Sequence, residues 1–216
     1  MAGVVAATAP EAGVEHASHA VPHGDILGAA LALSRYADLY PEGTVHVVVV
    51  DPGVGTERRA LAARIDGRFY VAPDNGALTL VLQRAERARL VDITEPDLVE
   101  RASATFHGRD IFAPSAARLA RGGALDTLGS PVHDPVLLSV PQPQRTDAGA
   151  RGEVLEVDRF GNLITNIPGA WLGSGARVEV GRDPVGELRR TYGDVGPGEV
   201  VALVGSTGLL EVSVRN

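Results

Sequence analysis

Asp51 and Arg58 lie at the two ends of a loop, Asp51-Pro52-Gly53-Val54-Gly55-Thr56-Glu57-Arg58, that follows a run of five valines and one histidine at residues 45–50. The β-branched run reads as a buried strand. A carboxylate at the C-terminal end of such a strand sits where open α/β sheets place their ligand crevices. Gly53 and Gly55 give the loop a superficial likeness to a phosphate loop. The Gly-Lys-Ser/Thr ending is missing, and Asp51 would repel an anion. A second cluster, Phe106-His107-Gly108-Arg109-Asp110, stands at a loop-to-helix junction, where Asp110 also suits the helix dipole. In a third, Asp158, Phe160 and Asn162 alternate and would share one face of an extended segment. A carboxylate, an aromatic ring and a carboxamide there could bind a cation, stack a base and read an amide-like edge. The fourth is the small-residue turn 205–211. Each cluster alone reads equally as structure: a turn with a surface ion pair, a structural histidine, a core phenylalanine, a tight turn.

The elements that must position these residues alternate in type. Asp25 to Tyr40 has helical periodicity and stops at Pro41-Glu42-Gly43. Residues 61–65 and 68–72 flank Asp66-Gly67, a type I′ hairpin pair. Helical patterns follow at 77–88 and 111–121, the latter ending at Gly122-Gly123, with a strand at 89–93 between them. This alternation predicts an α/β domain over 1–130, a mixed or parallel sheet with flanking helices. Residues 131–150 are rich in proline and polar residues and read as a linker. Residues 151–216 contain only short β-like segments, at 152–158, 163–167, 177–180, 200–204 and 209–214. They predict a small all-β, barrel-like domain.

Composition narrows the function classes. The 216 residues are 44% hydrophobic but only 4% aromatic, so the core is built from small aliphatics. Net charge is −7 with no basic stripe, which argues against nucleic acid or an anionic membrane surface as partner. The absence of cysteine excludes disulfides, thiolate metal sites and cysteine nucleophiles. No apolar run approaches the roughly 20 residues of a membrane span, and no basic leader region opens the chain. A cytoplasmic protein is the expectation.

The order of the clusters is more specific than any one of them. Asp51-Pro-Gly-Val-Gly-Thr-x-Arg58-Arg59, Ala72-Pro-Asp-Asn-Gly76, Phe106-His-Gly-Arg-Asp-x-Phe-Ala-Pro114, Asp158-x-Phe-Gly-Asn-Leu-Ile-Thr-Asn166 and Ser206-x-Gly-x-Leu-Glu211 follow one another along the chain. Together they resemble the S-adenosyl-L-methionine hydroxide adenosyltransferases, relatives of the fluorinases and chlorinases, from about residue 14 onward. The resemblance implies hydrolysis of S-adenosyl-L-methionine to adenosine and methionine, with no cofactor or metal. It carries a catalytic triad onto Asp51, Arg58 and His107. It gives Asp158 the methionine ammonium, Ser206 the methionine end, Phe160 and Tyr192 the nucleoside, and Asn162 the adenine. It also implies a homotrimer with active sites at subunit interfaces.

The residue types suit that reaction. The leaving group departs as a neutral thioether and needs no acid. The nucleophile is the difficulty, since bulk water has a pKa near 15.7. Asp51 or His107 could orient the water and take its proton, and Arg58 could hold Asp51 through a bidentate contact. A halide site would instead need neutral donors, and the carboxylate of Asp51 argues against one.

Two departures set further expectations. The first strand of the relatives, with its ribose-binding acid, has no counterpart here, and Val214-Arg215-Asn216 stops short of their final strand. Thr207 stands where relatives carry an arginine or aromatic. A chain trimmed at both ends is expected to bind substrate weakly. The alternative is therefore a non-catalytic adenosine-binding or oligomer-forming remnant, and, less favoured, a halogenase.

Overall fold

A computed structural model describes residues 1–216. The chain divides into two compact units, Met1–Leu138 and Ser139–Asn216.

In the first unit the elements are α1 (Ala2–Thr8), α2 (Ile26–Tyr36), β1 (Val45–Val47), β2 (Ala60–Ile65), β3 (Arg68–Pro73), α3 (Thr79–Arg84), β4 (Ala88–Ile93), α4 (Pro96–Val99), α5 (Ala113–Ala120) and β5 (Gly129–Val132). The five strands form one mixed sheet in the order β1-β3-β2-β4-β5. Only the β1–β3 pair is parallel. Side chains alternate across the pleat. Ala62, Val71 and Val91 pack with Phe112, Ala116 and Leu119 of the α5 region on one face. Ala63, Tyr70 and Ala72 pack with Leu33 of α2 and Val81 of α3 on the other. Cover on both faces explains why β2 and β3 are apolar without alternation. Small residues at 60, 62, 63 and 72 let the helices approach closely.

Local signals placed the helix starts and the hairpin. The Asp25 carboxylate accepts from Gly28 N at 2.8 Å as the N-cap of α2. Asp66 and Gly67 both have positive φ, 45° and 84°, as a type I′ turn requires. Gly122 and Gly123 close α5 by donating to Leu119 O and Arg118 O, a Schellman motif.

Several expectations are corrected. The valine run is not a fully buried strand. Only Val45–Val47 form the ladder, because β1 is an edge strand with β3 as its single neighbour. After Val48 N bonds Val71 O, the chain leaves the sheet with Val48–Val50 half-buried. Helix α3 ends at Arg84 because Glu86 N and Arg87 N turn back to the carboxylate of Asp66. The segment read as linker begins inside β5, which pairs antiparallel with β4 and whose edge position tolerates Pro131. It also holds a small hairpin, β6 (Gln144–Thr146) and β7 (Gly149–Arg151).

The second unit is otherwise one six-stranded sheet of β8 (Val154–Val157), β9 (Leu163–Pro168), β10 (Arg177–Val180), β11 (Asp183–Arg189), β12 (Val200–Val204) and β13 (Leu209–Val214). Its order is β10-β11-β12-β13-β9-β8, a half-barrel rather than a closed barrel, curled over Ile167, Val178, Ala202, Leu210 and Val212. No helix of the structure is long and apolar enough to cross a membrane.

His46 of β1 is buried between Tyr40 and Tyr70, its ring stacked on Tyr70 at 5.1 Å, and its Nε2 has no partner. Burial, then the Arg68 charge, lowers its pKa. A lowered folded pKa means that the unfolded chain takes up the proton first, so stability falls as pH drops below about 6.5. His46→Phe is expected to flatten that acid slope by up to about 1.4 kcal/mol per pH unit, read from urea unfolding between pH 5 and 7.

Candidate active site

Asp51, Arg58 and His107, the three residues to which the resemblance assigns a triad, meet in the first unit. Asp51 opens the loop after β1, and Arg58 closes it just before β2. Arg58 Nε donates to Asp51 Oδ1 at 2.9 Å, and Arg58 Nη2 donates to Asp51 Oδ2. The pair is therefore bidentate, and it is buried, with side-chain exposures of 10% for Arg58 and 6% for Asp51. Arg58 Nη1 donates to Arg59 O at 3.2 Å, and the guanidinium lies 5.3 Å from the Phe112 ring centroid. All three guanidinium nitrogens are thus engaged, and one aromatic ring lies near the group.

His107 joins through the same guanidinium: Arg58 Nη2 lies 2.8 Å from His107 Nδ1. An arginine has only donors, so Nδ1 must be the acceptor. The ring is then neutral, with its proton on Nε2. Its pKa agrees in direction. Burial lowers it, the Arg58 charge lowers it further, and Asp51 and Asp110 offset part of the effect. His107 caps a π-helical turn, Gly108–Phe112, that leads into α5. Such turns are frequent at functional sites.

Gly55 brings the two loops together. Its φ is +79°, and a Cβ there would stand 2.6 Å from Ala104 O, so glycine is required on both counts. That close approach lies three residues before His107 and sets the ring beside Arg58. Arg109 and Asp110, the other charges of this cluster, pair with each other. Arg109 and Ser103 N together hold the Asp110 carboxyl at about 2.

The 158–162 segment is not extended. Asp158 Oδ1 accepts from Phe160 N and Asn162 N, Oδ2 accepts from Asn162 Nδ2, and Gly161 takes a φ of 86°. The segment is a tight turn built on its own carboxylate, so Asp158 and Asn162 meet through a bond and not by alternation. Phe160 is neither in the core nor aligned with them on a strand. It is 66% exposed, with the Arg159 guanidinium 4.7 Å from its ring centroid. Ser206 is exposed in the turn between β12 and β13. Tyr192 donates its hydroxyl to Glu211 Oε1, which also accepts from Ser213 Oγ at 2.9 Å. That bond, followed by burial, pushes the Tyr192 phenol up to about 12.

Sequence reasoning missed three contributors. Glu211 is buried and its Oε2 faces Gly205, where a Cβ would come within 2.6 Å. Asp74 and Asn75 hold the loop of the triad. All three were visible as motif positions without a role.

Two family models match the chain: the SAM hydroxide adenosyltransferase N-terminal domain over residues 1–129 and the C-terminal domain over residues 152–216. The chain belongs to the SAM hydroxide adenosyltransferase family. Within it, the chain is 46% identical to the (R)-S-adenosyl-L-methionine hydrolase of Thermus thermophilus, covering 98% of this chain and 84% of that protein. It is 43% identical to the hydrolase of the same name from Salinispora arenicola, covering 99% and 83%. Among solved structures, an uncharacterized conserved protein from Thermotoga maritima superposes with a TM-score of 0.91 at 35% identity, covering 99% of this chain and 85% of that one. Asp51, Arg58 and His107 fall within the N-terminal match, and the 158–162 turn, Tyr192 and Ser206 within the C-terminal one.

Proposed function

We propose that this protein is a hydrolase that converts S-adenosyl-L-methionine and water to adenosine, L-methionine and a proton. The observation that carries the chemistry is the single guanidinium of Arg58 holding both Asp51 and His107. Water attacks the ribose C5′. The new C5′–O bond forms as the C5′–S bond breaks, and its electron pair goes to sulfur, which leaves as a neutral thioether. No general acid is needed, and the reaction as written uses no cofactor.

The tautomer of His107 assigns the roles. Nδ1 is engaged by Arg58 and Nε2 carries the proton, so neither ring nitrogen is a free base. The ring can donate from Nε2 to the water oxygen and steady the developing hydroxide. Asp51 keeps an unused lone pair on each oxygen and is the group that takes the proton. Arg58 orients both. A positioned base of this kind supplies about 10²–10⁴ in rate.

Recognition of the substrate is assigned to Asp158, Phe160, Asn162, Tyr192 and Ser206. Asp158 supplies the charge for the methionine ammonium and Ser206 a hydroxyl for the methionine end. The exposed ring of Phe160 offers a face to the nucleoside, Tyr192 is held by Glu211 as a second aromatic, and Asn162 reads the adenine edge. A homotrimer completes the reading, and light scattering should report three chain masses.

Chromatography of S-adenosyl-L-methionine incubated with the protein decides the activity. Adenosine and methionine in equal amounts support it. Substrate left intact in the presence of bound adenosine would favour a binding protein instead. Added chloride or fluoride should yield no 5′-halo-5′-deoxyadenosine, because the Asp51 carboxylate repels an anion and Arg58 is already committed to Asp51 and His107.

A further inference from the structure

The motif Ala72-Pro73-Asp74-Asn75-Gly76 contributes nothing to the triad directly, yet its two polar side chains reach both ends of the loop that does. Asn75 Nδ2 donates to Val50 O at 2.9 Å, the carbonyl immediately before Asp51. Asn75 Oδ1 accepts from Ala77 N at 3.2 Å, so the amide is fixed at both of its ends. Asp74 grips the other side. Its N donates to Arg59 O at 3.0 Å, and its Oδ2 accepts from Arg59 Nε at 2.7 Å, immediately after Arg58. Its Oδ1 accepts from Val136 N at 2.8 Å. The Asp74 side chain is 3% exposed, so these bonds are shielded from water.

The turn that carries both residues is itself fastened. Gly76 has a φ of +98°, and a Cβ there would lie 2.6 Å from Leu138 Cγ. Thr79 Oγ1 donates to Gly76 O at 2.7 Å and accepts from Leu138 N at 2.8 Å. The loop they hold needs such support, because it contains Gly53 and Gly55 and runs outside the sheet.

We propose that Asp74 and Asn75 are positioning residues that clamp the Val50 and Arg59 ends of the triad loop, and thereby set the distance from the Asp51–Arg58 pair to His107. The rate consequence rests on the hydrolase reading; the geometric consequence does not. A shift of about 1 Å in a reacting group can cost about 10²-fold in rate.

The test is Asn75→Ala, with Asp74→Asn as a second variant that keeps the backbone bond and the side-chain shape but drops the charge on Arg59. For Asn75→Ala, kcat for adenosine formation should fall by about 10- to 100-fold with KM little changed. In a His107→Ala background the same substitution should cost much less, because the two act through one unit. NMR of the His107 ring should show Nδ1 losing its donor and the titration midpoint rising toward the ordinary value near 6.5. Asp74→Asn should move both readouts in the same direction by less. An equal loss of kcat in both backgrounds, or a His107 titration unmoved in both variants, overturns the clamp. If the unaltered protein forms no adenosine, the hydrolase reading fails, and the His107 titration alone decides the clamp. A purely structural contact would lower thermal stability and leave that titration in place.

Discussion

Asp51→Asn is expected to lower kcat for adenosine formation by about 10²- to 10⁴-fold, with KM little changed. The substitution preserves volume but removes the only anionic acceptor in the triad. One amide oxygen can still accept from Arg58 Nε, while the new NH₂ faces the donor Nη2 and cannot replace the second bond. The water then has no group to take its proton, since His107 Nδ1 is engaged and Nε2 is protonated. The acid limb of the rate profile should also move. His107 must be neutral to accept from Arg58, so activity falls as pH drops through its pKa, which lies below the ordinary value near about 6.5. Asp51 is one of the charges that raises that pKa, so the limb should lie at lower pH in the variant. Steady-state kinetics between pH 5 and 8, with a melting curve to confirm the fold, make the measurement. Activity within about threefold of the unaltered protein would transfer the base role away from Asp51, since it lies well below the lower bound for a positioned base.

How far the site could be read beforehand follows from what each residue depends on. The cap at Asp25 and the turn at Asp66-Gly67 are local, and their signals suffice. Strand β11 contains Pro184 and Gly186, which read as breakers. It exists because β10 and β12 flank it, a tertiary fact that no window of sequence contains. Strand β5 with Pro131 is hidden for the same reason. Motif order singled out Asp51, Arg58 and His107, and the structure brings the three side chains together, but the protonation state of His107 could not be read from sequence. That state is fixed by one bond to Arg58, across 49 positions of sequence. The 158–162 segment shows the opposite failure. Alternation suggested a strand face, whereas a short acid followed by glycine built a turn, because local bonds to Asp158 compete successfully with extension. Asn75 and Glu211 stood in plain view, and only the contacts between loops gave them work.

Those contacts also bear on the choice between water and halide. A halide pocket requires unpaired positive or neutral donors. Here the one buried cation of the site spends Nε and Nη2 on a carboxylate and an imidazole. Converting this centre to halide use would take more than removing Asp51, because the freed guanidinium would still be tethered to His107 and to Arg59 O. The carboxylate is therefore a structural member of the site as well as its proposed base.

Arg58→Leu should be the most disruptive single change. It leaves Asp51 buried without a counter-charge and removes the partners of His107 Nδ1 and Arg59 O. Breaking a buried pair in this way costs about 3–5 kcal/mol. A whole domain is stable by only about 5–15 kcal/mol, so much of the margin is lost. The sign of the pH response identifies the cause. An unpaired buried carboxylate has its folded pKa raised above the unfolded value near 3.9, so its proton favours the fold. Relative to the unaltered protein, the loss of stability in the variant should therefore be smallest near about pH 4 and should grow as pH rises through the raised pKa. The double variant Asp51→Asn with Arg58→Leu removes both charges and should recover most of the loss, although it stays inactive. Arg58→Lys tests geometry separately. It keeps the charge and spares the carboxylate, but a point ammonium cannot bridge Asp51 and His107 as the planar fork does. It should fold near normally and still lose most of its kcat. Urea unfolding at pH 4 and pH 7 for the three variants distinguishes these outcomes. A loss below about 1 kcal/mol in Arg58→Leu would show that the pair behaves as a solvated surface bridge, and the rigid centre on which the base assignment depends would not exist.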